Sequence, residues 1–145
     1  MAFKNYSTTI GVHKTIGEIQ QILVENGARK ILYDYSNIGQ IETISFILIT
    51  PHGERAVRLP ARPQNVYEIL KNQKFQKKIT IKVDYEQAQR VAWRNLKDWL
   101  SAQMALIESD QTCFNEIFLP YMLDNKGKTF FEAYEQLLLE NGDND

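Results

Sequence analysis

Helical spacing of apolar residues marks the first element of the chain. Three aliphatic side chains recur at that spacing: Ile16, Ile19 and Leu23. Such a stripe is typical of the buried face of a helix. Thr15 and Glu18 have the spacing of a capping box, which predicts that the helix begins at Thr15. The pair Asn26-Gly27 predicts its end, because glycine readily adopts the left-handed conformation that terminates helices.

The period of the pattern changes to two after this helix and predicts a sheet. Residues 29–35 alternate between apolar and polar side chains, and residues 40–50 are rich in β-branched residues. The second half of residues 40–50 is apolar on both faces, as in a central strand. Turn residues at 36–39 and 51–54 join these strands to a third, residues 55–59. The pattern predicts a three-stranded antiparallel meander.

Two further β-prone segments lie outside the meander. Residues 7–10 predict either a fourth edge strand or an ordered arm. Residues 78–83 alternate between polar and apolar side chains, which is typical of a lysine-edged strand or of an extended linker. A helix is predicted between the meander and this second segment, since Pro63 suits a first helical turn, where a missing amide hydrogen costs nothing.

The C-terminal part of the chain is predicted to be helical. Residues 84–107 begin with a capping aspartate and carry a wide apolar stripe. A short helix is predicted to begin at Thr112 and to end or bend at Pro120. Thr129 and Glu132 repeat the spacing of a capping box, which predicts a last helix through about residue 139.

Together these elements predict an α+β fold: an N-terminal helix, a three-stranded antiparallel meander and a helix, followed by a C-terminal helical lobe built on one long helix. The expected division is an α-β-β-β-α lobe at residues 1–73, a basic linker or edge strand at 74–83 and a helical lobe at 84–140. With 145 residues, the lobes are expected to form one compact domain. The polar residues 141–145 predict a disordered tail.

Composition narrows the cellular setting. The chain has a single cysteine and no apolar run of membrane-spanning or signal-peptide length. Because one cysteine cannot form an internal disulfide, we expect a protein of the reducing cytoplasm. Because no apolar run is long enough to cross a membrane, we expect no membrane partner.

The aromatic and sulfur-containing side chains are predicted mainly as core residues. Cys113 lies beside Phe114 in an apolar segment and is expected to fill the core. On the long helix, Trp99 belongs to the apolar stripe, whereas Trp93 is expected at its margin.

No motif for catalysis, metal binding or nucleotide binding occurs, and we expect no cofactor. The histidines, His13 and His52, have no zinc-ligand spacing to the single cysteine. Asp124 predicts a solvated turn, because the ladder of calcium ligands is missing around it. An enzyme would require a carboxylate and a histidine in one pocket. Three carboxylates are candidates for such a pocket: Asp34, Glu42 and Asp124.

Charge is distributed unevenly along the chain. Residues 1–100 contain 15 Lys and Arg against 9 Asp and Glu, a net of +6, whereas residues 101–145 contain 2 against 9, a net of −7. The positive excess concentrates in residues 55–97, where 11 basic residues face 3 acidic ones. Such a stretch is typical of a surface that binds phosphates or an acidic partner.

Ten cations of this stretch are the predicted nucleic-acid-binding residues: Arg55, Arg58, Arg62, Lys74, Lys77, Lys78, Lys82, Arg90, Arg94 and Lys97. The last three share one face of the long helix by their spacing. Phe75 and Tyr85 are predicted stacking surfaces for unpaired bases. The alternative is that the lysines protect a sheet edge and that the basic helix face packs on the acidic C-terminal helices.

Five short runs carry a resemblance to a known family: Gly53-Glu54-Arg55, Arg58-Leu59-Pro60-Ala61-Arg62, Gln89-Arg90-Val91-Ala92-Trp93-Arg94, Gln103-Met104-Ala105-Leu106-Ile107-Glu108 and Phe118-Leu119-Pro120-Tyr121. In these runs the chain resembles small uncharacterised proteins of bacteriophages, prophages and other mobile elements. The resemblance covers nearly the whole chain except the lysine-rich residues 71–82, and it implies a cytoplasmic accessory role in infection. The predicted order of helix, three strands and helix is also that of double-stranded-RNA-binding domains, but the second helix lacks their basic, glycine-containing start.

The leading hypothesis is a non-catalytic nucleic-acid-binding accessory protein of a phage or mobile element, which contacts DNA or RNA phosphates through its basic surface. The alternative is a protein-binding inhibitor or adaptor that uses its charge asymmetry to bind a host protein, for example a defence protein, or a second copy of itself as a homodimer. An enzyme ranks third.

Overall fold

The fold is α+β, as the sequence pattern predicts. A computed structural model describes residues 1–143. Its elements, in chain order, are α1 (Val12–Glu25), β1 (Ala28–Tyr35), β2 (Ile41–Thr50), β3 (Gly53–Arg58), α2 (Pro63–Phe75), α3 (Tyr85–Glu108), α4 (Phe114–Phe118), a 3-10 turn (Leu119–Tyr121) and α5 (Phe130–Asp143). Residues 141–143 of the predicted disordered tail lie in α5, and the remainder of that tail is outside the described residues. Within residues 1–143, no helix combines the length and the apolar character that a membrane crossing requires.

The sheet has the strand order β1-β2-β3, and both strand pairs are antiparallel. The central position of β2 is therefore confirmed. Phe46 on β2 lies opposite Ile31 on β1 and Val57 on β3, and these three define the face that packs on the core. On the other face Ser45 is buried, Ile47 is half-buried and Ile49 is 61% exposed, so the cover of that face decreases toward the end of β2.

Neither of the two additional β-prone segments forms a strand in the described part of the chain. The N-terminal segment is an ordered arm, because the side-chain amide of Gln87 donates hydrogen bonds to the carbonyl oxygens of Tyr6 and Thr8 at 2.9 and 3.0 Å. Ile79, in the second segment, is buried against helices α2 and α3. The alternating apolar residues of 78–83 therefore pack on helices and do not pair with a strand.

Backbone contacts divide the chain into two compact units. The first unit contains Met1–Glu25 and Ala61–Ala102, and the second contains Asn26–Pro60 and Gln103–Asp145. This grouping differs from the expected lobes at 1–73 and 84–140, because α1 belongs to the same unit as α2 and the first part of α3, whereas the sheet belongs to the same unit as α4 and α5. Helices separated widely in sequence share a core, which local periodicity does not reveal.

One cluster of the core of the first unit is formed by α2, α3 and the irregular segment between them. Its buried members are Val66, Leu70, Ile79, Ala88, Val91 and Ala92, and partly buried N-terminal residues pack against them. The prediction for the two tryptophans was wrong, since Trp93 is completely buried and Trp99 is half-buried. Trp93 precedes Leu96 and Leu100 by three and seven residues, so it shares their buried face.

An aromatic cluster forms the core of the second unit. The ring of Phe46 meets that of Phe118 edge to face, with centroids 5.9 Å apart, and Phe114 lies 6.5 Å from Phe46. The chain after α4 returns to the sheet, where the amide of Leu123 donates to the carbonyl oxygen of Ala56 at 2.8 Å. This contact places the start of α5 next to β3.

Candidate functional surfaces

The predicted cations are divided between the two units. Arg55 and Arg58 belong to the second unit. The other eight belong to the first unit: Arg62, Lys74, Lys77, Lys78, Lys82, Arg90, Arg94 and Lys97.

Arg58 is occupied by the C-terminal segment of its own unit. Its guanidinium donates to the carbonyl oxygen of Gly127 at 3.1 Å and lies 3.7 Å from the carboxylate of Glu132 on α5. The pKa of Glu132 is lowered, first because its carboxylate accepts the backbone amide of Thr129 and also because Arg58 lies close by. Arg58 therefore holds a turn and a helix start, and its charge is partly neutralised.

Arg94 is also bound within the molecule. Its guanidinium, on α3, forms an ion pair with Glu18 and donates to the hydroxyl of Thr15 at 3.4 Å, both on α1. The capping box predicted from Thr15 and Glu18 was wrong, because α1 begins at Val12 and the Thr15 amide already donates to the carbonyl oxygen of Gly11. The side chains of Thr15 and Glu18 instead bind the guanidinium of Arg94.

The other two cations of the predicted basic face of α3 have partners as well. The Nε of Arg90 donates to the side-chain oxygen of Gln87 at 2.8 Å, and the Nζ of Lys97 lies 4.0 Å from the carboxylate of Asp98. Both cations are only half-exposed. The three cations on this face of α3 therefore bind groups of the first unit itself.

The freest cations surround the end of α2. Lys74, Lys77 and Lys78 are exposed, and none lies within 4.0 Å of a carboxylate in the described part of the chain. Phe75 stands among them and is 87% exposed. We call these four residues the Phe75 patch. By contrast, Lys71 pairs with Glu68 at 3.4 Å, so it is not included.

The backbone that carries the Phe75 patch has a defined helix end. The amides of Gln76, Lys77 and Lys78 donate to carbonyl oxygens of the last turn of α2, at 2.9 to 3.0 Å. Lys77 adopts a left-handed conformation, with φ 61°. These bonds end the helix at Phe75 and fix the backbone from which the three lysines project.

The three remaining predicted cations are Lys82, Arg62 and Arg55, which differ in their exposure and in the groups that they contact. Lys82 lies 3.7 Å from Asp84, although its side chain is highly exposed. Arg62 is exposed at the residue before α2, where it has φ 47°. Arg55 is half-exposed and donates to the backbone carbonyl of Glu54 at 2.9 Å. None of the three belongs to the Phe75 patch.

A second surface, on α5, was not anticipated from the sequence. Five large apolar side chains form a stripe along this helix, each between 43% and 59% exposed: Phe130, Phe131, Tyr134, Leu137 and Leu138. We call these residues the α5 stripe. The remaining sides of the helix carry Glu132, Glu135 and Glu140. Helical spacing was visible in the sequence, but it does not distinguish a stripe that is covered from one that is open.

Cys113 lies at the edge of a cavity instead of in the core, so the prediction of a core-filling cysteine was wrong. Its side chain is exposed, and the residue precedes α4 in extended backbone. The cavity has a volume of about 370 Å³ and is lined chiefly by apolar groups, among them Leu48, Met104 and Phe114. Across residues 1–143, no cluster of three or more His, Cys, Asp or Glu is placed to hold a metal ion.

The turn at Asp124 follows the prediction. Its carboxylate accepts the backbone amides of Lys126 and Lys128 at 2.8 and 3.0 Å, and these bonds lower its pKa. Comparison with known proteins adds no further constraint on the site: no protein-family model, curated protein or solved structure matches this chain.

Proposed function

We propose that the protein is a non-catalytic accessory protein that binds single-stranded nucleic acid through the Phe75 patch. The observation that carries the proposal is the 87% exposure of Phe75 among three lysines that lack an acidic partner in the described part of the chain. Single strands are held by the combination of cations that follow the phosphates and aromatic rings on which bases stack. The resemblance to phage and mobile-element proteins supplies the setting.

The proposed surface is smaller than the ten cations that the sequence suggested. Arg58, Arg90 and Arg94 bind groups of their own units, so phosphate would have to compete with those partners. Three free lysines neutralise about three phosphates, which gives a slope of log affinity against log salt of about −2 for a single strand. We therefore expect modest affinity with a measurable dependence on salt.

A fluorescein-labelled oligothymidylate of 15 nucleotides, titrated by anisotropy at several salt concentrations, tests the proposal. Binding that weakens with the stated slope and falls on replacing the three lysines by alanine supports it. The matched control is Lys14→Ala, since Lys14 is an exposed helical lysine outside the patch. Absence of binding at low salt, or equal loss in the control, would overturn it.

A second candidate function rests on the α5 stripe. Exposed apolar patches of this kind mark interaction sites, and an amphipathic helix typically inserts its apolar face into a groove. Because the stripe is bordered by glutamates and residues 101–145 carry a net charge of −7, the matching partner is a protein whose apolar groove is rimmed by lysine and arginine.

The α5 stripe can be tested by changing each of two exposed leucines on the same helix. Leu138→Ser alters the stripe, and Leu139→Ser alters the same helix outside it. A purified host protein with a basic-rimmed groove should bind the wild-type chain and the Leu139→Ser variant but not the Leu138→Ser variant. Equal binding by all three chains would remove this candidate.

A further inference from the structure

We infer that the open edge of β1 is a self-complementary surface that pairs two copies of this chain across a two-fold axis at Leu32. In the part of the chain that the structure describes, β1 pairs with β2 on one edge and with no strand on the other. Such an edge presents backbone amide and carbonyl groups to a further strand.

The usable length of the edge is set by irregularities in the sheet. Pairing with β2 is regular from Lys30 to Asp34, and the register shifts on either side of that segment. Bulges of this kind twist a strand and interrupt its pairing. The regular edge therefore has five residues, with a cation at one end and a carboxylate at the other.

The direction of the backbone groups follows from the neighbouring pair of strands. The carbonyl oxygen of Ile44 accepts a hydrogen bond from the amide of Leu59, so the backbone N–H and C=O groups of Ile44 point toward β3. Ser45, the next residue, is turned toward β1, where it pairs with Leu32. Since directions alternate along a strand, Leu32 uses its backbone groups inside the sheet, and Ile31 directs its own toward the open edge.

A two-fold axis at Leu32 then brings complementary side chains together. In antiparallel pairing centred on Leu32, this residue faces Leu32 of the second copy. Lys30 of each copy then faces Asp34 of the other copy, which gives two equivalent pairs of opposite charge. Leu32 is 54% exposed, and Lys30 and Asp34 are exposed on the same side of the strand. Cross-strand apolar pairs and opposite charges both stabilise a sheet. Parallel pairing would place like charges opposite one another.

Charge exchange between residues 30 and 34 tests the pairing in the absence of nucleic acid. In sedimentation velocity, the wild-type chain should show a concentration-dependent species of twice its 16.9 kDa mass. Lys30→Asp and Asp34→Lys should each abolish it, because each places like charges opposite one another, and the double exchange should restore it. Lys14→Asp, a matched change on α1, should leave it unchanged.

A covalent readout tests the register. Paired residues of the kind expected at Leu32 have Cα atoms about 4.5 Å apart, within the range of a disulfide. In a Cys113→Ser background, Leu32→Cys should therefore form a disulfide-linked dimer under mild oxidation, and Ile38→Cys, in the exposed turn after β1, should not. A wild-type chain that remains monomeric at millimolar concentration, or a dimer indifferent to both single charge exchanges, would overturn the inference.

Discussion

The guanidinium of Arg94 on α3 forms an ion pair with the carboxylate of Glu18 on α1, which lies 76 positions earlier in the chain. The Arg94 side chain is only 16% exposed, so its charge is largely removed from water. This pair shows that a cation expected to meet an external phosphate has a structural role in the first unit.

The stability of the first unit is therefore expected to depend on this pair. Arg94→Ala leaves a partly buried carboxylate without its cation, and we expect the free energy of unfolding to fall by about 2 kcal/mol, below the value for a fully buried pair because Glu18 is one-third exposed. Urea denaturation followed by circular dichroism measures the change. Lys78→Ala is the control and should leave stability unaltered; an equal loss in both variants would show that the ion pair contributes nothing.

Phe75 and its lysines should contribute to nucleic-acid binding in different ways. Phe75→Ala removes one stacking surface, worth about 1–3 kcal/mol, and is expected to weaken oligothymidylate binding about tenfold with little change in the salt slope. Replacing Lys77 and Lys78 by alanine should reduce the slope by about one to two. Anisotropy titrations at three salt concentrations separate these effects, and identical behaviour of the two variants would argue against stacking.

The capping box of α5 should make stability depend on pH. The amide of Thr129 donates to Glu132 at 3.0 Å, and the amide of Glu132 donates to the Thr129 hydroxyl at 3.1 Å. Because the pKa of Glu132 is lowered in the folded chain, its contribution is complete above the ordinary value of 4.5 and is lost as pH falls through the lowered one. Melting temperatures between pH 3 and 6 should fall less steeply in Glu132→Gln than in the wild type; parallel curves would contradict this expectation.

Removal of the Thr129 hydroxyl isolates the helix cap itself. Thr129→Ala is expected to cost about 1 kcal/mol of stability at neutral pH.

Substitution of an exposed apolar residue of the second unit should cost much less stability than substitution of a buried one. Leu138→Ser, on the α5 stripe, is expected to change the free energy of unfolding by less than about 0.5 kcal/mol, because the side chain is already half in water. Phe118→Ala removes a fully buried ring that packs on Phe46 and should cost about 3–5 kcal/mol. Urea denaturation of both variants provides the measurement. A large loss in Leu138→Ser would mean that the stripe packs within the chain.

The sequence predicted the elements of the fold because their signals are local. Alternation and turn residues are sufficient to place β1, β2 and β3, and Thr129 with Glu132 caps α5 as its spacing indicates. The same spacing gave a wrong prediction of a capping box at Thr15 and Glu18, because both side chains bind Arg94 on α3. Local spacing fixes which groups are near one another in a helix, but tertiary contacts decide what they bind.

The candidate surfaces were less predictable for the same reason. Charge along the chain identified the basic segment, but it did not separate Arg58 and Arg94, which are bound internally, from the lysines around Phe75. The sequence predicted the last helix, but it did not predict that the α5 stripe is exposed. Burial of Trp93 and exposure of Cys113 likewise depend on which elements pack together.

Stacking of bases on Phe75 can be tested most directly by photocrosslinking. An oligonucleotide of 15 residues with 5-iodouracil at its centre is irradiated with the protein, and the crosslinked residue is identified by mass spectrometry. A crosslink at Phe75 is expected, and it should disappear in high salt and in the Phe75→Ala variant. Efficient crosslinking at other residues with none at Phe75, or no crosslink at all under binding conditions, would contradict it.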